Sequence, residues 1–162
     1  MSSTKNFKAL SANDVEVMLT KKSFFDNIWN PEGKGITHQY KEQTINDDKV
    51  IFDEVTGLMW QQGGSPKEMP FEQAKKLWAD ELNYAGFHDW RLPTLEEAMS
   101  LMEPEKKNGD LYIDPVFDTR QEWIWTADKV KGQPWVWVVD FYVGRCGCRF
   151  YRSYFVRAVR SR

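Results

Sequence analysis

Both cysteines of the chain, Cys146 and Cys148, lie in "GRCGCRFYRSYF" (144–155), among Arg145, Arg149, Arg152 and the rings Phe150, Tyr151, Tyr154 and Phe155. A disulfide between them is disfavoured, because residues i and i+2 of a strand point to one face and bridge poorly. A metal site would need further ligands, and no second Cys or His cluster supplies them. Binding is the chemistry this mixture suits best. Tyrosine offers large contact area for few rotatable bonds, and arginine offers planar, multidentate hydrogen bonding. Tyr142, Arg145, Arg149, Phe150, Tyr151 and Arg152 are therefore the expected ligand contacts, with Gly147, Cys148 and Ser153 as small positions shaping the pocket. A reactive thiol at Cys146 or Cys148 is the enzymatic alternative. Neither His38 nor His88 has a titratable neighbour in sequence that suggests acid–base work, and both are expected at the surface or at caps. No catalytic residue, cofactor or metal is assigned.

With 162 residues the chain has room for one compact domain. Charged residues make up 28% and hydrophobic residues 41%, which fits a globular rather than a disordered chain. Eight tryptophans point to a core of large rings. No apolar run reaches membrane-spanning length, and "MSSTKNFKALSANDVEVM" has no apolar signal-peptide region, so a cytoplasmic protein without a membrane or nucleic-acid partner is expected. The net charge of −2 divides unevenly: residues 1–137 sum to −7, and residues 138–162, with six arginines and Asp140, to +5. Either the closing segment is a basic face that attracts an anion or a protein, or its arginines pair with carboxylates of the body.

The elements that must position this segment are legible in part. Ser11 and Asp14 suit a capping box, Leu10 and Val15 a hydrophobic staple, and Val15, Met18 and Leu19 an apolar stripe that fades near Lys22. "SFFDNIWNPEGKG" runs into a turn. Strand begins at Lys49, as a hairpin of Val50–Phe52 and Leu58–Gln61 about a turn at Glu54–Gly57. A helix is predicted from Pro70, as its first residue, with Phe71, Ala74, Trp78 and Leu82 inward and Gly86 ending it. Another follows "DWRLP", capped by Thr94 and Glu97, with Leu95, Ala98, Met99 and Met102 inward. "EWIWTAD", "PWVWVVDF" and "YFVRAVRS" alternate as strands, Trp135 and Trp137 sharing a face, and Val156, Ala158 and Val159 belonging to the frame. The order predicts an α+β fold with helices bracketing a twisted antiparallel sheet: a helical arm over 1–48, and the main domain over 49–162 with its candidate variable region at 142–155.

"FDEVTGLMWQQ", "FEQAKKL", "GFHDWRLPTLEEAMSLM", "WIWTAD", "WVWVVDF" and "YFVRAVR", in that order, resemble the Lcl C-terminal domain family. The resemblance implies a C-type-lectin-like fold, akin to that of the formylglycine-generating enzymes. Trp60, Trp90, Trp123 and Trp125 are then core rings, and Arg91 holds a buried carboxylate such as Asp53 or Asp89. Calcium-dependent sugar binding is not expected, because "GQPW" lacks the acid that would follow its Gln-Pro. The surroundings of "CGC" do not match those oxidases, although an oxidase using one of its cysteines stands as an alternative.

Some proteins of this broad fold resemble the variable proteins of diversity-generating retroelements. There, adenine-directed copying rewrites AAC and AAT codons near the 3′ end of the gene and cannot produce Trp, Gln, Met, Lys or Glu. Those five types supply 47 of the 162 residues, the last being Trp137. The expected function is thus a non-catalytic module presenting a varied Arg/Tyr-rich surface to a macromolecular ligand, a protein in the first instance. A fixed-sequence sensor or regulatory domain, partnered with a signalling enzyme, is a further alternative.

Overall fold

The computed structural model describes residues 8–149 and 152–162, with the backbone alone for Leu77, Ala79 and Arg149. Ala9–Leu10 (β1) leads into the helix Ala12–Lys22 (α1), whose capping box is formed: the Asp14 amide donates to Ser11 Oγ and the Ser11 amide to Asp14 Oδ2. Val15 and Leu19 are buried, and Ser23 ends the helix in the left-handed region at φ 59°. The segment expected as a helical arm also supplies a strand, Tyr40–Ile45 (β2), joined to Asp48–Asp53 (β3) through Asn46 and Asp47, both at positive φ. Its residues "YKEQTI" are mostly exposed, so no apolar alternation marked it as a strand.

Instead of one bracketed sheet, two four-stranded sheets form. The first has the order β1–β5–β6–β7, with Trp123–Val130 (β5), Val136–Asp140 (β6) and Arg145–Arg149 (β7); β1 joins it in parallel. The second has the order β2–β3–β4–β8, with Leu58–Gln61 (β4) and Val159–Ser161 (β8). Both sheets are covered on both faces. Ile51, Trp60, Ile124, Trp137 and Val139 enter one apolar cluster, while their strand neighbours Val50, Met59, Trp125, Val136 and Val138 enter the other. Strands buried on both sides read as nearly continuous hydrophobic runs.

The helix predicted from Pro70 is shorter than expected. Pro70 is its cap rather than its first residue, Phe71–Lys75 (α2) is α-helical, and Lys76–Asp80 widens into a π-turn. Gly86 does not terminate it but sits with Ala85, both at positive φ, in a separate turn between Tyr84 and Phe87. The helix Leu95–Ser100 (α3) carries the expected Thr94–Glu97 box and packs on β5 and β6. Of "YFVRAVRS" only the end is strand; Tyr154 and Phe155 make isolated bridges to Met69 and Ile124, while the amides of Val156 and Ala158 donate to the side chains of Ser65 and Gln61 and their carbonyls accept the backbone amides of the same two residues.

Arg91 holds a buried carboxylate as expected, that of Glu97, through two bonds of 2.7 and 2.8 Å. One sequence-based expectation about charge is overturned. His38 is not at the surface: its Nδ1 pairs with Asp53 Oδ2 at 2.5 Å, its Nε2 donates to the Ser100 carbonyl at 2.6 Å, and its ring stacks on Tyr40. Its partner is fifteen residues away in sequence, on β3. His88 is exposed.

The deepest charge is Arg157, fully buried beneath the "QQGGS" loop. It donates to the carbonyls of Gly63, Gln62 and Asp118 and to Gln121 Oε1, and its guanidinium lies 5.0 Å from the Phe117 ring centroid. Burial pulls its pKa down to about 10. Replacing Arg157 by Met strips these acceptors of their donor, and a loss of about 3 kcal/mol is expected in urea denaturation. Arg157→Lys should recover only a part, since one ammonium cannot reach all four acceptors in the two loops. Asp53 gives a pH signature. Burial pushes its carboxyl up, but the His38 bond and charge, the Val55 amide and the Thr56 hydroxyl outweigh this, and its pKa falls below the ordinary 3.8. A depressed folded pKa contributes stability above the unfolded value that is lost as pH falls through the folded one. Thermal melts from about pH 4 to 2 should therefore drop more steeply for the native chain than for Asp53→Asn.

Candidate functional site

The closing segment of interest is carried by β6, a turn, and the edge strand β7. The turn is tied by Asp140, whose Oδ1 accepts the amides of Tyr142 and Val143 at 2.9 and 3.0 Å. Gly144 takes φ 81° there, against the ring of Tyr112. The result is a tight tip that leaves Tyr142 and Val143 exposed. A second anchor comes from far away in sequence. Asp26 accepts the amides of Ile28 and Trp29 on Oδ1 and that of Cys146 on Oδ2, each at 2.9 Å, so residues 26–30 are held against β7. The Asn27 amide adds a bond to the Gly144 carbonyl.

Between this loop, the start of α1 and strands β6 and β7 opens a groove of about 500 Å³. Trp29, Trp135 and Trp137 form its apolar walls, with Val130 and Cys148 beside them. Trp29 and Trp137 meet edge to face at 5.9 Å. The Arg145 guanidinium lies 6.0 Å from the Trp29 ring centroid, and its Nε donates to the Cys146 carbonyl. Gly147 has no side chain, and the groove reaches its cross-strand partner Val138 and the ring of Tyr154. A larger cavity of about 720 Å³ lies between α1 and the start of α3, but the three carboxylates in its wall are engaged: Asp128 by the amides of Lys8 and Leu95, Asp14 by the Ser11 amide, and Glu96 by Lys22.

Of the expected contact residues, Arg145, Gly147 and Cys148 line the groove, and Tyr142 stands on the adjoining turn. Arg152 and Ser153 are exposed directly before Tyr154. Only the backbone of Arg149 is described, and Phe150 and Tyr151 lie outside the described residues. Sequence reasoning missed Trp29 and Trp135. Trp135 had a legible signal, since it shares a strand face with Trp137 and lies at the strand's start, where cover runs out; it is 40% exposed. Trp29 had none, because its loop is brought to β7 by bonds of Asp26 and Asn27 to residues more than a hundred positions away.

Neither Cys146 nor Cys148 forms a disulfide. Burial pushes the Cys146 thiol well above its ordinary pKa, and the charge of Asp26 adds to the shift. Cys148 is half-buried at the groove. Among the described residues no group of three or more His, Cys, Asp or Glu is placed to hold a metal ion.

These features define an α+β domain with one aromatic groove at a sheet edge. Residues 49–160 match the Lcl C-terminal domain family, and the chain belongs to it. No curated protein and no solved structure matches the chain.

A thiol titration with a disulfide reagent should show a single fast-reacting cysteine in the native state. Cys148→Ser should abolish that phase, and Cys146 should react only on unfolding.

Proposed function

We propose that the domain is a non-catalytic ligand-binding module, a C-type-lectin-like scaffold that presents the groove and the tip beside it to a protein. One observation carries this reading. Among the described residues six large hydrophobic side chains are exposed; two of them, Trp135 and Val143, line this groove, and two more, Ile28 and Tyr142, are next in sequence to its lining residues Trp29 and Val143. Contiguous exposed apolar surface rimmed by arginine is the composition of protein interfaces, and Trp, Tyr and Arg are the types that dominate their hot spots. The elevated Cys146 pKa disfavours that cysteine as an oxidase nucleophile, which needs its thiolate. Two cysteines in the reduced state fit a reducing, cytoplasmic compartment.

Diversification by a retroelement is the finer part of the proposal. Burial already excludes Lys, Glu and Gln from Val138, Val139, Phe141, Cys146, Val156, Ala158 and Val159, so part of the compositional gap has a packing cause. The remaining support rests on the exposed or half-buried positions 142, 143, 145, 147, 148, 152 and 153. A reverse-transcriptase gene nearby, with a copy of the 3′ coding segment differing only at adenines, is the expected genetic context. Its absence removes diversification and leaves the binding reading standing.

Trp135→Ala and Tyr142→Ala should each leave the melting temperature within about 3 °C of the native value, while lowering affinity for any captured protein ligand about tenfold or more. Trp137→Ala is the contrast: its buried ring should cost about 3–5 kcal/mol of stability. If the two exposed substitutions destabilise as much as Trp137→Ala, the surface is core and the module reading fails.

A further inference from the structure

We infer that the groove receives a segment of a protein partner in which a carboxylate, from Asp, Glu or a chain end, adjoins a large apolar side chain. The carboxylate is taken by Arg145 and the apolar group by the walls of Trp135, Trp137 and Val130. This rests on the binding-module reading and adds the chemistry of the partner.

The argument runs through the arginines. Residues 138–162 carry a net +5 on a body of −7, but much of that charge never faces a ligand. Arg157 is buried among carbonyls. Arg160 is paired with Asp89 through bonds of 2.7 and 3.2 Å. Arg162 stacks over Phe52, on the other sheet. Of the described arginine side chains in the segment, Arg145 and Arg152 remain, and Arg145 lines the groove itself.

Its geometry is that of a prepared fork. The Trp29 ring lies beneath the guanidinium, 6.0 Å from centroid to Cζ, and the Cys146 carbonyl holds Nε, so among the described residues both terminal nitrogens are left to donate in parallel. A planar fork matches a carboxylate with two bonds, and pre-positioning reduces the side-chain freedom lost on binding. Arg145 already occupies the neighbourhood of the Trp29 ring and repels a second cation, which disfavours a quaternary-ammonium ligand for these tryptophans. The other charge in the groove wall, Asp140, has Oδ1 engaged by the two turn amides. A polyanion such as a nucleic acid is disfavoured as well, since it needs many cations along a track, and the −7 of residues 1–137 repels it.

The test is selection of a random dodecapeptide phage library on the immobilised full chain, followed by fluorescence polarisation with peptides synthesised from the enriched pool. Enriched sequences should place Asp or Glu within about three residues of Leu, Phe or Trp. Changing that acid to its amide should weaken binding to the native chain about tenfold, and to Arg145→Gln no more than about twofold. Melting curves of Arg145→Gln should match the native chain, which keeps a folding defect out of the comparison.

Enriched peptides without an acid, or an acid whose removal costs the same in both proteins, overturn the carboxylate inference while leaving a binding module. Peptides indifferent to Trp135→Ala overturn the groove itself, and the module reading of it falls too. No enrichment over a heat-unfolded control overturns both. Displacement of the peptides by a random single-stranded oligonucleotide, with affinity falling steeply in salt, overturns the choice of a protein partner.

Discussion

A single buried guanidinium holds the two sheets in their relation. Arg157 follows the short crossing at Tyr154–Phe155 and precedes β8, so the chain passes from one sheet to the other at this residue. Its bonds reach the loop after β4 and the loop before β5. Those carbonyls have left regular ladders and are buried, where an unpaired polar group costs about 1–3 kcal/mol. A guanidinium can serve several at once because its donors spread in a plane. The close approach leaves no room for side chains: a Cβ at Gly64 would strike the Val156 carbonyl. The "GG" of the loop and the Arg of "VRAVR" are therefore two halves of one contact.

Buried carboxylates repeat the device elsewhere. Asp128 takes the amides of Lys8 and Leu95, fastening β1 and the start of α3 to β5. Asp26 fastens the 26–30 loop to β7. Glu97 completes its helix cap and also holds Arg91, whose backbone pairs with Val159 of β8. Asp53 gathers His38, Thr56 and the Val55 amide at the end of its hairpin. With so few regular hydrogen bonds between distant elements, these side-chain bonds set where each loop lies, and a carboxylate accepting backbone amides is a strong, directional link.

The groove is a by-product of that fastening. Trp29 is brought to the sheet edge by Asp26, Trp135 lies at the start of β6 beyond full cover, and Arg145 is steadied by Trp29. None of these depends on the identity of Tyr142, Arg152 or Ser153, which are exposed. The fold and the exposed residues beside the groove are thus supported by different side chains.

The amino-acid sequence by itself determined the elements whose causes are local. The caps of α1 and α3 need only Ser11, Asp14, Thr94 and Glu97 at their spacings, and the β3–β4 hairpin needs only its own alternation and turn. It also determined most of the core rings: Trp60, Trp90 and Trp125 are buried, whereas Trp123, expected with them, is half-buried with its indole N–H on Glu68. Tertiary structure alone decided the rest. The β2 strand is polar and exists because β3 offers it an edge; Arg91 and His38 have carboxylate partners that more than one acid could have supplied; and the groove joins residues 29, 135 and 145. The physical reason is range. Periodicity and capping act over a turn or two of chain, whereas the partner of a buried charge is chosen by which long-range packing desolvates it, and the one-dimensional pattern does not carry that choice.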